Sequence, residues 1–330
     1  MSKKYVIVGL GSIGRRHLSN LAAVGESDFI AVTRGRCALP TEGLPHYQTV
    51  ADLASALRYR PDAVLVCNPT ALHLPLAMQA AAAGCHIFLE KPISHRIDGV
   101  DELVALAEAN RLRVQVGFQF RYHPVLQQIG KQIASGAIGE VQSAHVHWGE
   151  YLPGWHPWED YKDSYAARTD LGGGVVLTLC HPFDYLRMLL GEVKSVYGMT
   201  SSRSNLAIET EDVAFANLRF ESGALASIYL DYVERPAQHK LLVIGDKGKI
   251  SWNNADGAAV LYDQTGKQHT VLRPRADFER NTMFVEEMKD FVAMVKTKKT
   301  PICTLDDGVQ ALRIALAVKA SAAQRREIVL

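Results

Sequence analysis

Gly9-Leu10-Gly11-Ser12-Ile13-Gly14 is the first stretch of this 330-residue sequence whose residue types and spacing could do chemistry. It follows the apolar run Val6-Ile7-Val8, and Leu18, Leu21 and Ala22 then recur at helical spacing, so a strand turns tightly into a helix. Gly9 makes the turn, Gly11 lets the backbone approach a pyrophosphate, and Gly14 permits close helix-to-strand packing. A helix N-terminus adds unpaired N–H groups and the positive end of a dipole. The chemistry is dinucleotide binding; the bland alternative is glycines that serve packing only. A second strand, Phe29 to Thr33, ends in Arg34-Gly35-Arg36 where an NAD site usually ends in Asp or Glu. A guanidinium grips a 2′-phosphate that a carboxylate would repel, which favours NADP over NAD, unless Arg34 and Arg36 are solvated loop charges.

These residues need a framework, and the first 120 supply alternating strands and helices. Helices are expected over Asp52 to Tyr59, His73 to Ala83 and Asp98 to Ala109, and strands over Ala63 to Cys67, Ile87 to Leu89 and Arg113 to Gly117. Strand ends on one edge of such a doubly wound sheet form a ligand crevice, which brings in Cys67-Asn68-Pro69 and Glu90-Lys91-Pro92. A residue before proline is pushed out of helical geometry, so Lys91 is extended where its strand meets the crevice, and an X-Pro bond can be cis. Beyond about residue 123 the strands lengthen: 141–148, 193–199, 213–220, 224–233 and 240–244, alternating with helices at 125–134, 174–190, 278–296 and 306–323.

Several of these motifs, in this order, resemble the Gfo/Idh/MocA family of pyridine-nucleotide oxidoreductases. They are Gly9 through His17, Asn68-Pro-Thr-x-x-His73, Glu90-Lys-Pro92, Val116 through Pro124, Gly136-x-Ile-Gly139, and Gly172-Gly-Gly followed by His181-x-x-Asp184. The resemblance covers nearly the whole chain. It implies an α/β fold: an N-terminal Rossmann doubly wound parallel sheet (1–122), then a C-terminal α+β domain (123–330) with a large open, mostly antiparallel sheet for substrate binding and oligomerisation. An open sheet face needs covering, in this family often by a partner's sheet, so a homodimer or homotetramer is expected. The cofactor residues it implies are Gly9, Gly11, Ser12, Ile13, Gly14, Thr33, Arg34, Arg36, Cys67, Asn68, Pro69, His73, Glu90 and Lys91.

Hydride transfer to a nicotinamide needs a base for the alcohol proton and a charge beside the developing oxyanion. His181 is the candidate base, because imidazole titrates near neutral pH, and Lys91 the candidate for holding the hydroxyl and relaying its proton. Family members use the lysine of the Glu-Lys-Pro motif and this histidine in such roles. Inositol-dehydrogenase-like members also carry an Asp one helical turn before the histidine, where this chain has Leu177. An apolar residue cannot orient an imidazolium, so the substrate or orienting group differs from theirs, with Asp184 a possible substitute. The segment Trp148 to Tyr161, then Tyr165 and Arg168, is rich in amphipathic rings that suit a sugar's C–H face, or else packs on a neighbour. Trp155, Tyr161, Tyr165, Arg168, Asp184, Gln119 and Arg121 are the candidate substrate residues.

Composition sets the class. Lys plus Arg (36) against Asp plus Glu (35) gives a charge of +1 without long runs of either sign, which favours neither nucleic acid nor an acidic surface. No apolar stretch reaches 18 residues and the start is not a signal sequence, so a cytoplasmic protein without membrane contact is expected. Five scattered cysteines (Cys37, Cys67, Cys85, Cys180, Cys303) read as reduced thiols. His145, His147 and Glu150 have ordinary strand spacing, and no metal is expected. The expected activity is hydride transfer between NADP, or NAD, and a secondary alcohol or ketone of a sugar, cyclitol, sugar acid or nucleotide-linked sugar. The alternatives are a non-sugar carbonyl reductase or diol dehydrogenase, and a catalytically inactive NADP-sensing regulator.

Overall fold

Val6, Ile7 and Val8 are buried in β1 (Lys4–Val8), as a strand covered on both faces requires. The structure, a computed structural model, describes residues 3–33 and 40–330. After β1 come α1 (Ser12–Ala23), β2 (Asp28–Val32), β3 (Gln48–Val50), α2 (Leu53–Leu57), β4 (Ala63–Val66), α3 (His73–Ala82), β5 (His86–Leu89), α4 (Val100–Ala109) and β6 (Val114–Val116). The six strands pair in parallel in the order β3-β2-β1-β4-β5-β6. The order reverses between β1 and β4, and at such a switch point the strand ends part to leave a crevice. Gly9 follows β1 there, and Cys67-Asn68 follows β4.

The chain continues through α5 (Pro124–Ala134), β7 (Val141–Gly149), α6 (Val175–Thr178), α7 (His181–Leu190), β8 (Val193–Ser201), β9 (Val213–Phe220) and β10 (Leu225–Asp231). Then come β11 (Gln238–Gly245), β12 (Gly248–Asn253), β13 (Ala259–Asp263), β14 (Gln268–Leu272), α8 (Arg280–Thr297), α9 (Leu305–Gln324) and β15 (Ile328–Val329). Nine of these strands form a second sheet, in the order β14-β13-β12-β11-β7-β10-β9-β8-β15. All its pairs are antiparallel except β7 with β10. Burial alternates along β9: Ala214, Ala216, Leu218 and Phe220 point inward and Phe215 outward. A Cβ on Gly198 would lie 2.4 Å from the Val318 carbonyl, so only glycine lets α9 lie this close to β8.

The expected fold class is therefore what the structure shows, with three differences of detail. The first compact unit runs to Gln119 and adds Asp170–Gly172 and Glu279–Leu312; the second holds Phe120–Thr169, Gly173–Phe278 and Arg313–Leu330. Each unit is thus assembled from separate stretches of the chain, with the first break at 119/120. Met288, Phe291, Val292 and Val295 of α8 share one core with Tyr5, Ile7, Leu18, Leu21 and Phe88, and periodicity does not say which sheet covers an apolar helix face. The helix expected over 174–190 is two helices, because Pro182 has no N–H for the carbonyl of Thr178 and the chain leaves helical geometry at Leu179. His181 is consequently the first residue of α7. The strands β3 and β12 to β15 are short or half exposed, too weakly patterned to be expected.

Gly14 is where the first unit tolerates least change. A Cβ there would sit 1.9 Å from the backbone carbonyl oxygen of Gly9, whereas one on Gly11 would meet nothing within 4 Å. Gly14→Ala should destabilise the unit by roughly 1–3 kcal/mol, read as a lower Tm by calorimetry. Gly11→Ala should leave Tm nearly unchanged while weakening dinucleotide affinity. Equal losses of Tm would contradict the close approach at Gly14.

Candidate active site

The glycine turn is built to receive an anion. Gly9 takes a left-handed φ of +95°, and its N–H donates to the Val32 carbonyl at 3.2 Å. Gly11 is the N-cap of α1, no side chain caps that end, and no acidic residue lies in the first turn, which begins with Ser12 and Ile13. The first N–H groups of α1 therefore lack a side-chain acceptor, and the space over Gly11 is open. Asn68 stands beside Gly9, and its buried Oδ1 carries no hydrogen bond. An open helix end and an orphaned buried acceptor both fit a bound dinucleotide.

Around that turn, side chains lock the crevice. Arg15 Nε donates to the Leu10 carbonyl at 2.9 Å, and its guanidinium also reaches the Pro40 carbonyl. Sequence reasoning missed Arg15, although an arginine beside the third glycine was its signal. Cys67 is an un-ionised wall: burial, then the charges of Glu90 and Glu287, push its thiol well above the usual range. His73 is buried, its Nδ1 2.7 Å from the Pro92 carbonyl and its Nε2 2.8 Å from the Asn68 carbonyl, so it ties two crevice loops together. Burial lowers its pKa despite those carbonyls, leaving it neutral. Pro69 opens a short turn, its carbonyl accepting from Leu72 N at 2.9 Å, and Thr33 N donates to Val50 O at 3.3 Å. Arg34 and Arg36 lie outside the described residues.

Lys91 stands on the edge of this crevice, half-buried, before a cis bond to Pro92. Glu90 beneath it is held by His17, with Nε2 to Oε1 at 2.6 Å, and accepts from Lys91 N at 3.2 Å. Burial alone would raise the Glu90 pKa; the bond and charge of His17, with Lys91 and His73, outweigh it and hold the carboxyl below its usual range. His17 is fully buried and set edge-on to Phe88 at 4.7 Å. Gln119 ends the first segment of this unit and is buried.

In the second unit, His181 is buried at the start of α7, inside a wall of rings. Phe120 is set edge-on to it at 5.1 Å, and Trp148 lies 5.5 Å away at 32°. Trp148 in turn stacks on His239 at 4.2 Å and 5°, and donates through Nε1 to Glu150 Oε1 at 2.8 Å. Burial, then His123, pushes His239 down to about 3, so it is a neutral ring, and its Nε2 meets the Tyr185 hydroxyl at 3.1 Å. None of Phe120, Trp148 or His239 was singled out by sequence for contact with His181; they come from distant segments that only strand register brings together. Leu177, in α6, is buried and brings no charge.

Arg121 and Asp184 face each other as a buried bidentate pair: Nε lies 3.0 Å from both carboxylate oxygens and the terminal nitrogen 2.7 Å from Oδ1. The Gln127 side chain donates to the Arg121 carbonyl at 2.8 Å, fixing the segment. Trp155 is edge-on to Tyr232 at 5.5 Å, the Tyr161 hydroxyl accepts from Ala207 N at 3.4 Å, and the Arg168 carbonyl accepts from Gly173 N at 2.9 Å. Tyr165 begins a short turn of helix, Tyr165–Ala167. All six of these residues and His181 thus belong to one unit, and Lys91 and Gln119 to the other.

Comparison with known proteins agrees with both halves. Residues 3–118 match the oxidoreductase family with an NAD-binding Rossmann fold, and residues 126–251 match the GFO/IDH/MocA C-terminal domain. The chain is 28% identical to the myo-inositol 2-dehydrogenase of Thermotoga maritima, covering 98% of this chain and 97% of that protein. Its fold is shared by a levoglucosan dehydrogenase solved with NADH, at 19% identity and a TM-score of 0.88, covering 100% of this chain and 99% of that one. A dehydrogenase from Bordetella pertussis, solved with NADH and UDP-GlcNAcA, has 22% identity and a TM-score of 0.84 over 100% and 99% of the two chains.

Glu287 of α8 makes the first unit's stability depend on pH. It is fully buried, neither carboxyl oxygen has a hydrogen bond, and burial, then Glu90 and Asp290, push its pKa well above the usual range. Because the folded value is the higher one, the folded chain holds a proton that the unfolded chain releases above about pH 4.3. Stability is thus lost as pH rises through that window. Glu287→Gln removes the titration, so its gain in Tm over the parent should be larger at pH 8 than at pH 5. A pH-independent difference would show that Glu287 is charged in the fold.

Proposed function

We propose an activity from one premise: the chain belongs to the Gfo/Idh/MocA oxidoreductase family. It is accordingly an NAD(P)-dependent dehydrogenase or reductase of CH–OH groups. The substrate class is a secondary alcohol or ketone of a sugar, cyclitol, sugar acid or nucleotide-linked sugar. The ring-lined surroundings of His181 carry this reading: Phe120 and Trp148 leave imidazole chemistry in an apolar wall suited to a polyol's C–H face.

In the alcohol-to-ketone direction His181 accepts the hydroxyl proton, and Lys91, on the loop braced by Glu90 and His73, polarises the oxygen. The bound nicotinamide supplies the redox chemistry by taking up or returning a hydride. Gly11 and the open end of α1 would hold the pyrophosphate, with Asn68 beside them. Arg121 and Asp184 neutralise each other, so their role is a fixed polar surface rather than a free charge for the substrate. NADP is the preferred cofactor, because Thr33 leads into Arg34 and Arg36 with no acid for the ribose hydroxyls.

A homodimer or homotetramer through the open face of the second sheet completes the proposal. Tyr197, Met199, Phe215 and Leu225 expose between 40% and 53% of their surface on β8, β9 and β10, an apolar patch of the kind that marks an interface. Among the described residues no helix is long and apolar enough to cross a membrane. A second reading, a cofactor-sensing regulator without turnover, is favoured by Leu177, which stands where inositol-dehydrogenase-like members carry an Asp.

Lys91→Ala should lower turnover by about 10²-fold or more while dinucleotide affinity stays largely intact, measured by absorbance at 340 nm across a panel of sugars, cyclitols and sugar acids. Tight NADP binding by the parent protein with no turnover on any of them would favour the regulator. Arg34→Asp should shift the ratio of NADP to NAD affinity toward NAD, and an unchanged ratio would remove Arg34 as the phosphate anchor.

A further inference from the structure

We infer a divalent transition-metal site in the second unit, formed by His147, Asp231 and Glu234 over Gly149, with Zn2+ as its fitting ion. It is separate from the dehydrogenase reading and needs no part of it. His147 and Gly149 lie on β7; in the parallel pairing Tyr229 of β10 is opposite His147, and Asp231 opposite Gly149. Glu234 follows three residues later. One ligand atom from each of His147, Asp231 and Glu234 lies within 4.8 Å of the other two. The trio visible in sequence does not converge: His145 Nδ1 meets Ser227 Oγ at 2.7 Å, and Glu150 accepts from Trp148.

Two independent observations point to a cation. Asp231 is 1% exposed; its Oδ1 accepts from Val233 N at 2.7 Å and Glu234 N at 2.6 Å, yet its buried Oδ2 makes no hydrogen bond. A Cβ on Gly149 would lie 2.1 Å from Glu234 Oε2 and 2.3 Å from Asp231 Oδ2. Two carboxylate oxygens therefore close over one point that only glycine leaves open. Neighbouring carboxylates repel each other, and a cation between them removes that repulsion.

The donor set selects the ion. His147 Nε2 is 2.6 Å from Glu234 Oε2, so an imidazole already stands at the carboxylates. One imidazole nitrogen with two carboxylate oxygens suits Zn2+ and its neighbours, whereas Mg2+ prefers oxygen ligands and keeps its waters. Three protein ligands leave a fourth position to water. Such an ion would staple the 232–237 connection to the ends of β7 and β10.

The test uses the full chain, stripped of metal and dialysed against ZnCl2 or MgCl2, with bound metal measured by mass spectrometry and Tm by calorimetry. The parent should hold about one Zn2+ per chain more than His147→Ala, Glu234→Gln or Gly149→Ala. Its Tm should rise with Zn2+, and those of the variants should not. MgCl2 should reproduce neither effect. His147 is exposed and Glu234→Gln is isosteric, so these two variants retain the fold that the comparison needs. Equal Zn2+ content in the parent and both variants, or no binding by the parent, would overturn the site and leave a proton shared between Asp231 and Glu234.

Discussion

The buried pair of His17 and Glu90 is the interaction on which the first unit's chemistry depends. His17 belongs to the helix that follows the glycine turn, and Glu90 precedes Lys91 at the end of β5, so one 2.6 Å contact joins the cofactor-binding helix to the loop that carries the lysine. Taking a carboxylate out of water is costly, and it is tolerated because His17, the Lys91 backbone N–H and the Lys91 charge all favour its ionised form. A Cβ on Gly117 would lie 3.1 Å from that carboxylate, which keeps the neighbouring strand end small. Removing either partner would leave an uncompensated polar group in the core and free the loop.

The second unit handles its charges differently. Arg121 and Asp184 are matched against each other at 2.7–3.0 Å, and the rings of Phe120 and Trp148 stand beside His181. A neutral His239, stacked on Trp148 and bonded to Tyr185, gives that wall a rigid backing. Leu177 fits the same logic, since an apolar side chain packs where a buried acid would need its own partner. The nine-stranded sheet behind the wall keeps its other face open, and its exposed rings and His147 lie across adjacent strands.

Much of this was legible in the sequence because local rules coincide with tertiary ones. The strand-glycine-helix pattern gave β1, the turn and α1, and Glu90-Lys91-Pro92 lies at a strand end because the parallel sheet puts its crevice there. What stayed hidden depends on distance along the chain. Nothing local tells that α8 returns to the Rossmann core, that Trp148 and His239 stack, or that Asp231 and Glu234 meet His147 rather than each facing water. Pro182 was visible, but its consequence, a break that makes His181 a helix start, needed the backbone. The proposed 2′-phosphate anchors, Arg34 and Arg36, lie outside the described residues.

The account stands on Lys91 and His181 acting in one reaction. A double-variant cycle measures this directly: single-turnover rates for Lys91→Ala, His181→Ala and the pair together, each at saturating dinucleotide and substrate. Groups that act as a unit should show strong non-additivity, with the double variant hardly slower than the slower single one. Rates that multiply, or a parent rate retained by either single variant, would contradict a shared role.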